Sequence, residues 1–300
     1  MEAAERRFRA MGGEAHVVLV DGDPGLMDAV EARVADLEAR WSRFRMDSEI
    51  SMLNTMPGFP AVVSPETFEL VEKAVFAWKQ TGGRFDPTVL ESLSAVGYDR
   101  SFETIAAGGA AGPHSGAPGC QGIELDSGNL AIALPFGVTV DPGGIGKGLG
   151  ADIVAREALA AGAAGVMVNL GGDIRVAGES PRDGEWSILV EDPFDRSAEL
   201  VKIQLADGAV ATSSRLGRRW QRGGAEYHHL IDPESGLPFS GDVVAVTVVA
   251  GEAWWAEVMA KAVFAAGSAR ADQVLDNALA IVVDGDGRRY TSPGFEEVAA

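Results

Sequence analysis

Residues Asp141-Pro142-Gly143-Gly144-Ile145-Gly146-Lys147-Gly148-Leu149-Gly150-Ala151-Asp152 follow a short apolar run, Val138-Thr139-Val140, and precede a helix-forming one, Ile153 to Ala161. The pattern predicts a strand, a glycine-rich turn and a helix. Glycines at 143, 144, 146, 148 and 150 let backbone N–H groups approach a ligand closely, and the following helix offers unpaired N–H groups and the positive end of its dipole. Lys147 adds a full charge. Such a turn suits a phosphate or diphosphate; a tight strand-to-helix connection needs the same glycines with no ligand at all. Two familiar phosphate motifs fail. A P-loop requires Ser or Thr after Gly-Lys and Gly five residues earlier, where this chain has Gly148 and Asp141. A dinucleotide fingerprint requires Gly-x-Gly-x-x-Gly, where Gly146, Gly148 and Gly150 give Gly-x-Gly-x-Gly.

Composition bounds the rest. The 300 residues, 46% hydrophobic and 23% charged, suit a globular protein with a substantial core. The net charge of -19 opposes nucleic acid and anionic membrane surfaces, because like charges repel, without barring an anion from one local basic pocket. A single cysteine, Cys120, excludes an intramolecular disulfide. The opening Met1 to Phe8 carries acidic residues and no apolar core of signal-peptide length, and no apolar run reaches about 18 residues. The expectation is a soluble, cytoplasmic chain with no nucleic-acid partner and no membrane insertion.

Outward from the glycine-rich stretch, strands are expected at 14–20, 166–170, 174–177, 186–190, 200–205, 208–212 and 243–250, with hairpins at 123–125/130–134 and 278–283/288–291. A long amphipathic helix opens at Asp23-Pro24, with Leu26, Val30, Val34, Leu37, Trp41 and Phe44 spaced by three and four. A short helix falls within 45–54 with Asp47 or Ser48 as its cap, a third runs from the Ser64 cap to about Gln80, and Trp254 to Ala266 is a fourth, stopped by Gly267. The Gly/Ala-rich stretch 106–119 reads as a flexible surface excursion, with His114 facing solvent. Asp86, beside Pro87, reads as a polar anchor or, more simply, as a loop starter capping the next short helix. Strands outnumber helices and are often consecutive. The fold class is therefore α+β, with mixed, mostly antiparallel sheets and packed helices, in a single domain over residues 1–300.

Eight motifs in order now carry more than any one alone. They are Phe8-Arg9-Ala10-Met11-Gly12-Gly13; Ser42-Arg43-Phe44 with Ser48-Glu49-Ile50-Ser51-x-Leu53-Asn54; Phe85-Asp86-Pro87-Thr88; and Asp141 to Gly148. Then come Val168-Asn169-Leu170-Gly171-Gly172-Asp173-Ile174; Ala211-Thr212-Ser213-Ser214; His229-Leu230-Ile231-Asp232-Pro233-x-x-Gly236-x-Pro238; and Ala256-Glu257-x-x-Ala260-Lys261-Ala262-x-Phe264-x-x-Gly267. This series resembles the FAD:protein FMN transferase family, also called the flavin transferase or thiamine-biosynthesis lipoprotein family, over nearly the whole chain. The resemblance implies cleavage of FAD at its diphosphate and attachment of FMN to a threonine or serine of an unidentified flavin-accepting protein, with Mg²⁺. It implies that Asp141 and Lys147 contact FAD and that Met11 is a flavin contact. Phe44 stands where the family often has tyrosine, and Phe85 and Asp86 match the loop at the adenosine end. Asp173, Ile231 and Lys261 complete the FAD-binding set. His229 matches a histidine near the reacting phosphate, a general base for the incoming hydroxyl, with Asp141 as the second catalytic candidate.

One position departs from the family. Its metal site implies the Gly144 carbonyl together with two side chains four apart on the late helix, here Glu257 and Lys261. Glutamate can bind Mg²⁺; a protonated lysine cannot. Lys261 can pair with Glu257 with no metal present, stand where the metal would be, or swing aside from a weaker metal. The second is favoured because two phosphates still need a cation. The alternatives to transfer are a flavin-binding protein without transfer activity and an FAD diphosphatase giving FMN and AMP.

Overall fold

Val243–Ala250 is β-branched at six of its eight positions, and every residue but the last is buried; such a run packs well as a strand covered on both faces. It lies in an antiparallel eight-stranded sheet ordered Ala3–Ala10, Gly13–Val20, Gly165–Leu170, Asp173–Gly178, Gly208–Ser214, Val243–Ala250, Leu279–Asp284 and Arg289–Thr291. The helix Ala253–Ala266 packs on three of the inner strands. A hairpin, Trp186–Glu191 with Glu199–Leu205, contributes Trp186, Ile188, Val190, Leu200, Ile203 and Leu205 to a core shared with Val176, Val210, Val249 and Ile281 of the sheet. The sheet, helix and hairpin belong to one of two compact units, Met1–Asp36, Lys147–Ser214 and Gly241–Ala300; the other is Leu37–Gly146 with Arg215–Ser240. The computed structural model describes residues 2–105, 108–182, 184–275 and 277–300. Among them no helix is long and apolar enough to cross a membrane.

The second unit holds the helices Glu49–Thr55, Pro65–Gln80 and Leu90–Ala95, a three-stranded sheet ordered Ala61–Val62, Ala131–Ala133, Glu124–Asp126, and the hairpin Arg219–Arg222 with Ala225–His228. Ser48 and Ser64 cap the first two helices, accepting from Ser51 N at 3.0 Å and Thr67 N at 3.3 Å. Leu93, Val96, Tyr98, Trp220 and Ile231 form a local core.

The α+β class with antiparallel sheets is what the chain adopts. Local expectations change in four places. Val138 to Val140 is not a strand. Both backbone groups of Val140 bond the Asn54 side chain, N–H to Oδ1 at 2.8 Å and C=O from Nδ2 at 2.9 Å, so an amide replaces the strand partner. The next helix begins at Gly146, not near Ile153, and takes the later glycines into its first turns. The first long helix ends at Trp41 and leaves Phe44 beyond it, 39% exposed. In 106–119, residues 106 and 107 lie outside the described residues. From 108 onward the stretch has neither helix nor strand, yet Gly112 N bonds Ala95 O at 2.7 Å and Ala117 N bonds Pro233 O at 2.7 Å.

Gly148 is required by close packing. A Cβ there would lie 2.4 Å from the Ala253 carbonyl oxygen and 2.7 Å from the Trp254 Cα. Gly148→Ala should therefore lower stability in urea unfolding by about 1–3 kcal/mol, although alanine is the better helix former. Gly241→Ala, with nothing within 4 Å of its Cβ, should stay within about 0.5 kcal/mol of the parent. Cys120 is buried, and burial and then Asp86 hold its thiol well above the usual range. A thiol reagent should leave Cys120 untouched in the native protein and label it fully after denaturation.

Candidate active site

The helix Gly146–Ala160 has no Ser, Thr, Asp or Asn just ahead of its first residue, so its early N–H groups need acceptors from elsewhere. Glu257, fully buried on the Ala253–Ala266 helix, supplies one: its Oε2 accepts from Gly148 N at 2.9 Å. The favour is returned. Glu252, at the start of the second helix, makes no side-chain capping bond, and Asp152 of the first helix accepts from Ala253 N and Trp254 N, both at 2.9 Å. Arg175 Nε stands 3.4 Å from the Asp152 carboxylate.

Two ammonium groups meet the Glu257 carboxylate. Lys147 Nζ donates to Glu257 Oε1 at 2.7 Å and also to Asp173 Oδ2. Lys261 Nζ donates to the Glu257 carbonyl at 3.1 Å and to Oε1 at 3.3 Å. Asp173 is placed at the first position of its strand by the Gly171-Gly172 turn, where Gly172 N donates to Asn169 Oδ1 at 2.8 Å. Burial opposes every charge in this group, and the neighbours decide each outcome. Burial, then Glu257, push Asp173 up to about 6. Burial would lift Glu257, but Lys147 and Lys261 hold it below its usual range. Burial would lower Lys147, but Asp173 and Glu257 hold it above its range. For Lys261 burial wins, with Lys147 adding to it, and its ammonium is weakened.

Met11, at the tip of the first hairpin with a φ of 50°, packs over the same helix start: a Cβ on Gly150 would be 3.2 Å from its Cε. A non-glycine residue holds this backbone conformation only where its surroundings fix it. Lys147, Asp173, Glu257, Lys261 and Met11 thus gather at one helix start in the first unit.

The remaining candidates belong to the second unit. Asp141 caps a short 3-10 turn, Pro142–Gly144, accepting from Gly143 N at 2.9 Å, and its own N–H donates to Pro87 O at 2.7 Å. That bond ties it to the Phe85–Thr88 loop, where Phe85 is buried and Asp86 accepts from Thr88 N at 2.8 Å and Thr88 Oγ1 at 2.6 Å. Asp86 therefore makes a local turn but does not cap the next short helix, Leu90–Ala95, whose cap position is Val89 with no side-chain capping bond; burial raises its carboxyl and the Thr88 bonds oppose that. Phe44 stacks at a tilt on Tyr98 with centroids 5.9 Å apart. Ile231 is buried in the Tyr98–Trp220 core, and Gly144 ends the 3-10 turn. His229 is half-buried immediately after the strand Ala225–His228, beside His228, whose Nε2 lies 3.0 Å from Phe239 O.

Two residues with no assigned role emerge. Arg43 lies over the Phe44 and Tyr98 rings at 4.3 and 4.6 Å and stands 3.6 Å from Asp141, so it fixes the carboxylate that opens the glycine-rich turn. Its only signal in the sequence is a cation beside an aromatic residue in Ser42-Arg43-Phe44. Asp152 showed none, because a helix cap taken from another helix has no local spacing.

The comparisons with known proteins agree with one another. The sequence model of the ApbE family matches residues 11–283. The FAD:protein FMN transferase of Vibrio cholerae is 29% identical over 289 residues, covering 91% of this chain and 86% of that protein. That of Haemophilus influenzae is 29% identical over 266 residues, covering 85% and 76%. The crystal structure of the ApbE protein of Thermotoga maritima superposes with a TM-score of 0.89 at 26% identity over 100% of both chains. The Vibrio cholerae flavin transferase ApbE gives 0.82 at 25% over 99% of both.

Removing the shared cation should expose the cost of two buried carboxylates. Lys147→Met should lower stability by about 3 kcal/mol in denaturant unfolding, and Lys147→Met with Glu257→Met should lose less than the two single losses together. Strict additivity would mean that the pair is not coupled.

Proposed function

The chain belongs to the ApbE family, and from that premise we propose that it transfers FMN from FAD to a threonine or serine hydroxyl of a target protein. The observation that carries this reading is the helix start at Gly146, where Lys147 and Lys261 stand side by side around Glu257. Phosphoryl transfer asks mainly for charge neutralisation and alignment, and a helix N-terminus with two ammonium groups suits the diphosphate of FAD.

The reaction balances as a displacement at phosphorus. The target hydroxyl oxygen bonds to the phosphorus of the FMN half, the bond from that phosphorus to the bridging oxygen breaks, and AMP leaves carrying that oxygen. The hydroxyl proton passes to a base, the role assigned here to His229. Asp141, held by Arg43 and by its own turn, orients the glycine-rich backbone at Gly143. Met11 offers apolar surface to the flavin; the roles of Phe44 at the flavin and of Phe85 and Asp86 at the adenosine end rest on the sequence motifs alone.

Mg²⁺ does not fit the Glu257 carboxylate as it is held here. A hard cation asks for several oxygen ligands. Glu257 Oε1 already accepts from two ammonium groups, and its Oε2 from Gly148 N. Among the described residues no three or more His, Cys, Asp or Glu side chains group to hold a metal.

Incubation with FAD and a threonine-containing acceptor peptide, followed by mass spectrometry, should give a peptide heavier by one FMN phosphoester, with AMP released. FMN and AMP without the adduct would replace transfer by hydrolysis, and intact FAD on the protein would leave a binder. His229→Ala should slow adduct formation by about 10²–10⁴-fold while FAD still binds.

A further inference from the structure

The Lys147–Asp173–Glu257–Lys261 group has a charge balance that says what it can receive. Without Lys261, two buried carboxylates face one ammonium, and the group lacks one positive charge. That is the setting in which a carboxylate pair takes up a cation. Lys261 supplies the missing charge from inside the chain. Its position on the helix, four residues after Glu257, returns its Nζ onto the carboxylate and carbonyl of Glu257.

The exposure of the four side chains gives the group a direction. The carboxylates are sealed, Asp173 at 4% and Glu257 at 0%, while Lys147 and Lys261 keep 19% and 17% of their side chains open. An anion reaching this place meets the lysine side chains first, with the sealed carboxylates behind them. A metal ion reaching it would have to part both lysines from Glu257, against the bonds to Oε1 and the cap to Gly148. An ion cluster that served only to hold the helices together would not need its lysines to be the more open members. Buried ion pairs are in any case poor stabilisers beside apolar packing, because the desolvation of both charges offsets their attraction.

We propose that Lys261 takes the place of a divalent cation in this chain: its ammonium, held by Glu257, is a fixed positive charge for the diphosphate of FAD, and FAD binding is independent of magnesium. The inference rests on the functional reading above and names how the same site neutralises its substrate. A lysine carries one charge where the metal would carry two, but it is part of the fold and is present without any ion being recruited.

The test uses the full chain and FAD itself. FAD affinity, read from quenching of flavin fluorescence, should change by less than about twofold between EDTA and excess Mg²⁺. Calorimetric titration of the protein with Mg²⁺ alone, and again with FAD present, should show no stoichiometric binding. Lys261→Thr should weaken FAD binding by about tenfold or more in EDTA, the loss of one charge-assisted contact, and excess Mg²⁺ should restore part of it. Lys261→Arg, which keeps the charge, should retain binding in EDTA and guards against a threonine variant that merely fails to fold. Stoichiometric Mg²⁺ binding by the parent chain, an FAD complex that forms only with Mg²⁺, or a folded Lys261→Thr that binds FAD in EDTA as the parent does would each overturn the inference while leaving the transferase reading intact. Failure of the parent chain to bind FAD under any condition would overturn both.

Discussion

Two helices in the first unit cap each other, and much else in that unit follows from the exchange. Glu257 of the late helix closes the start of the Gly146–Ala160 helix, and Asp152 of the earlier one closes the start of Ala253–Ala266. A helix start buried without acceptors costs free energy, so the exchange removes two such costs together. It demands that the backbones come close, and Gly148 is the residue that permits it. It also places two carboxylates out of water. Those carboxylates in turn need cations, which Lys147, Lys261 and Arg175 provide. Capping, close approach and a buried charge cluster are thus one arrangement seen at successive levels.

The second unit uses a similar economy with different chemistry. Asp141 is buried beside Arg43, whose guanidinium lies over two aromatic rings and donates to the Tyr98 carbonyl at 2.8 Å. The planar cation satisfies a carboxylate at its edge and stacks through its faces, which a lysine could not do. In both units a residue expected to meet the ligand is first a member of a structural network. Such residues are held in place before any substrate arrives, and preorganised groups need not reorganise when charge develops.

The sequence was most readable where local pattern and tertiary role coincide. The long amphipathic helix, the Ser64 cap, the Gly267 stop and the apolar strand at 243–250 all follow from spacing and cap chemistry, while the choice between Asp47 and Ser48 as a cap needed the structure. It was least readable where a charge pattern hid a strand or a side chain stood in for backbone. Ala3–Ala10 is an edge strand that carries Glu5, Arg6, Arg7 and Arg9 on mostly exposed positions, which blunts an open edge and hides its alternation. Val138 to Val140 resembles a strand in sequence only, because the Asn54 side chain takes both backbone bonds of Val140. The hairpin at 219–228 had a local signal in Gly223-Gly224, a pair with φ of 55° and 82° that suits a two-residue hairpin turn.

For the site, the residues themselves were legible one motif at a time. Sequence by itself determined the antiparallel α+β class, a glycine-rich stretch leading into a helix, the order of the motifs and the i, i+4 spacing of Glu257 and Lys261, because all of these depend on near neighbours in the chain. Only the tertiary structure decided what the glycines and the lysine were for. It showed Gly148 against the Ala253 backbone, Lys147 shared between Asp173 and Glu257, and Asp152 capping a helix a hundred residues on. Those contacts join residues far apart in the chain, and their energies come from burial and desolvation, which no local spacing records.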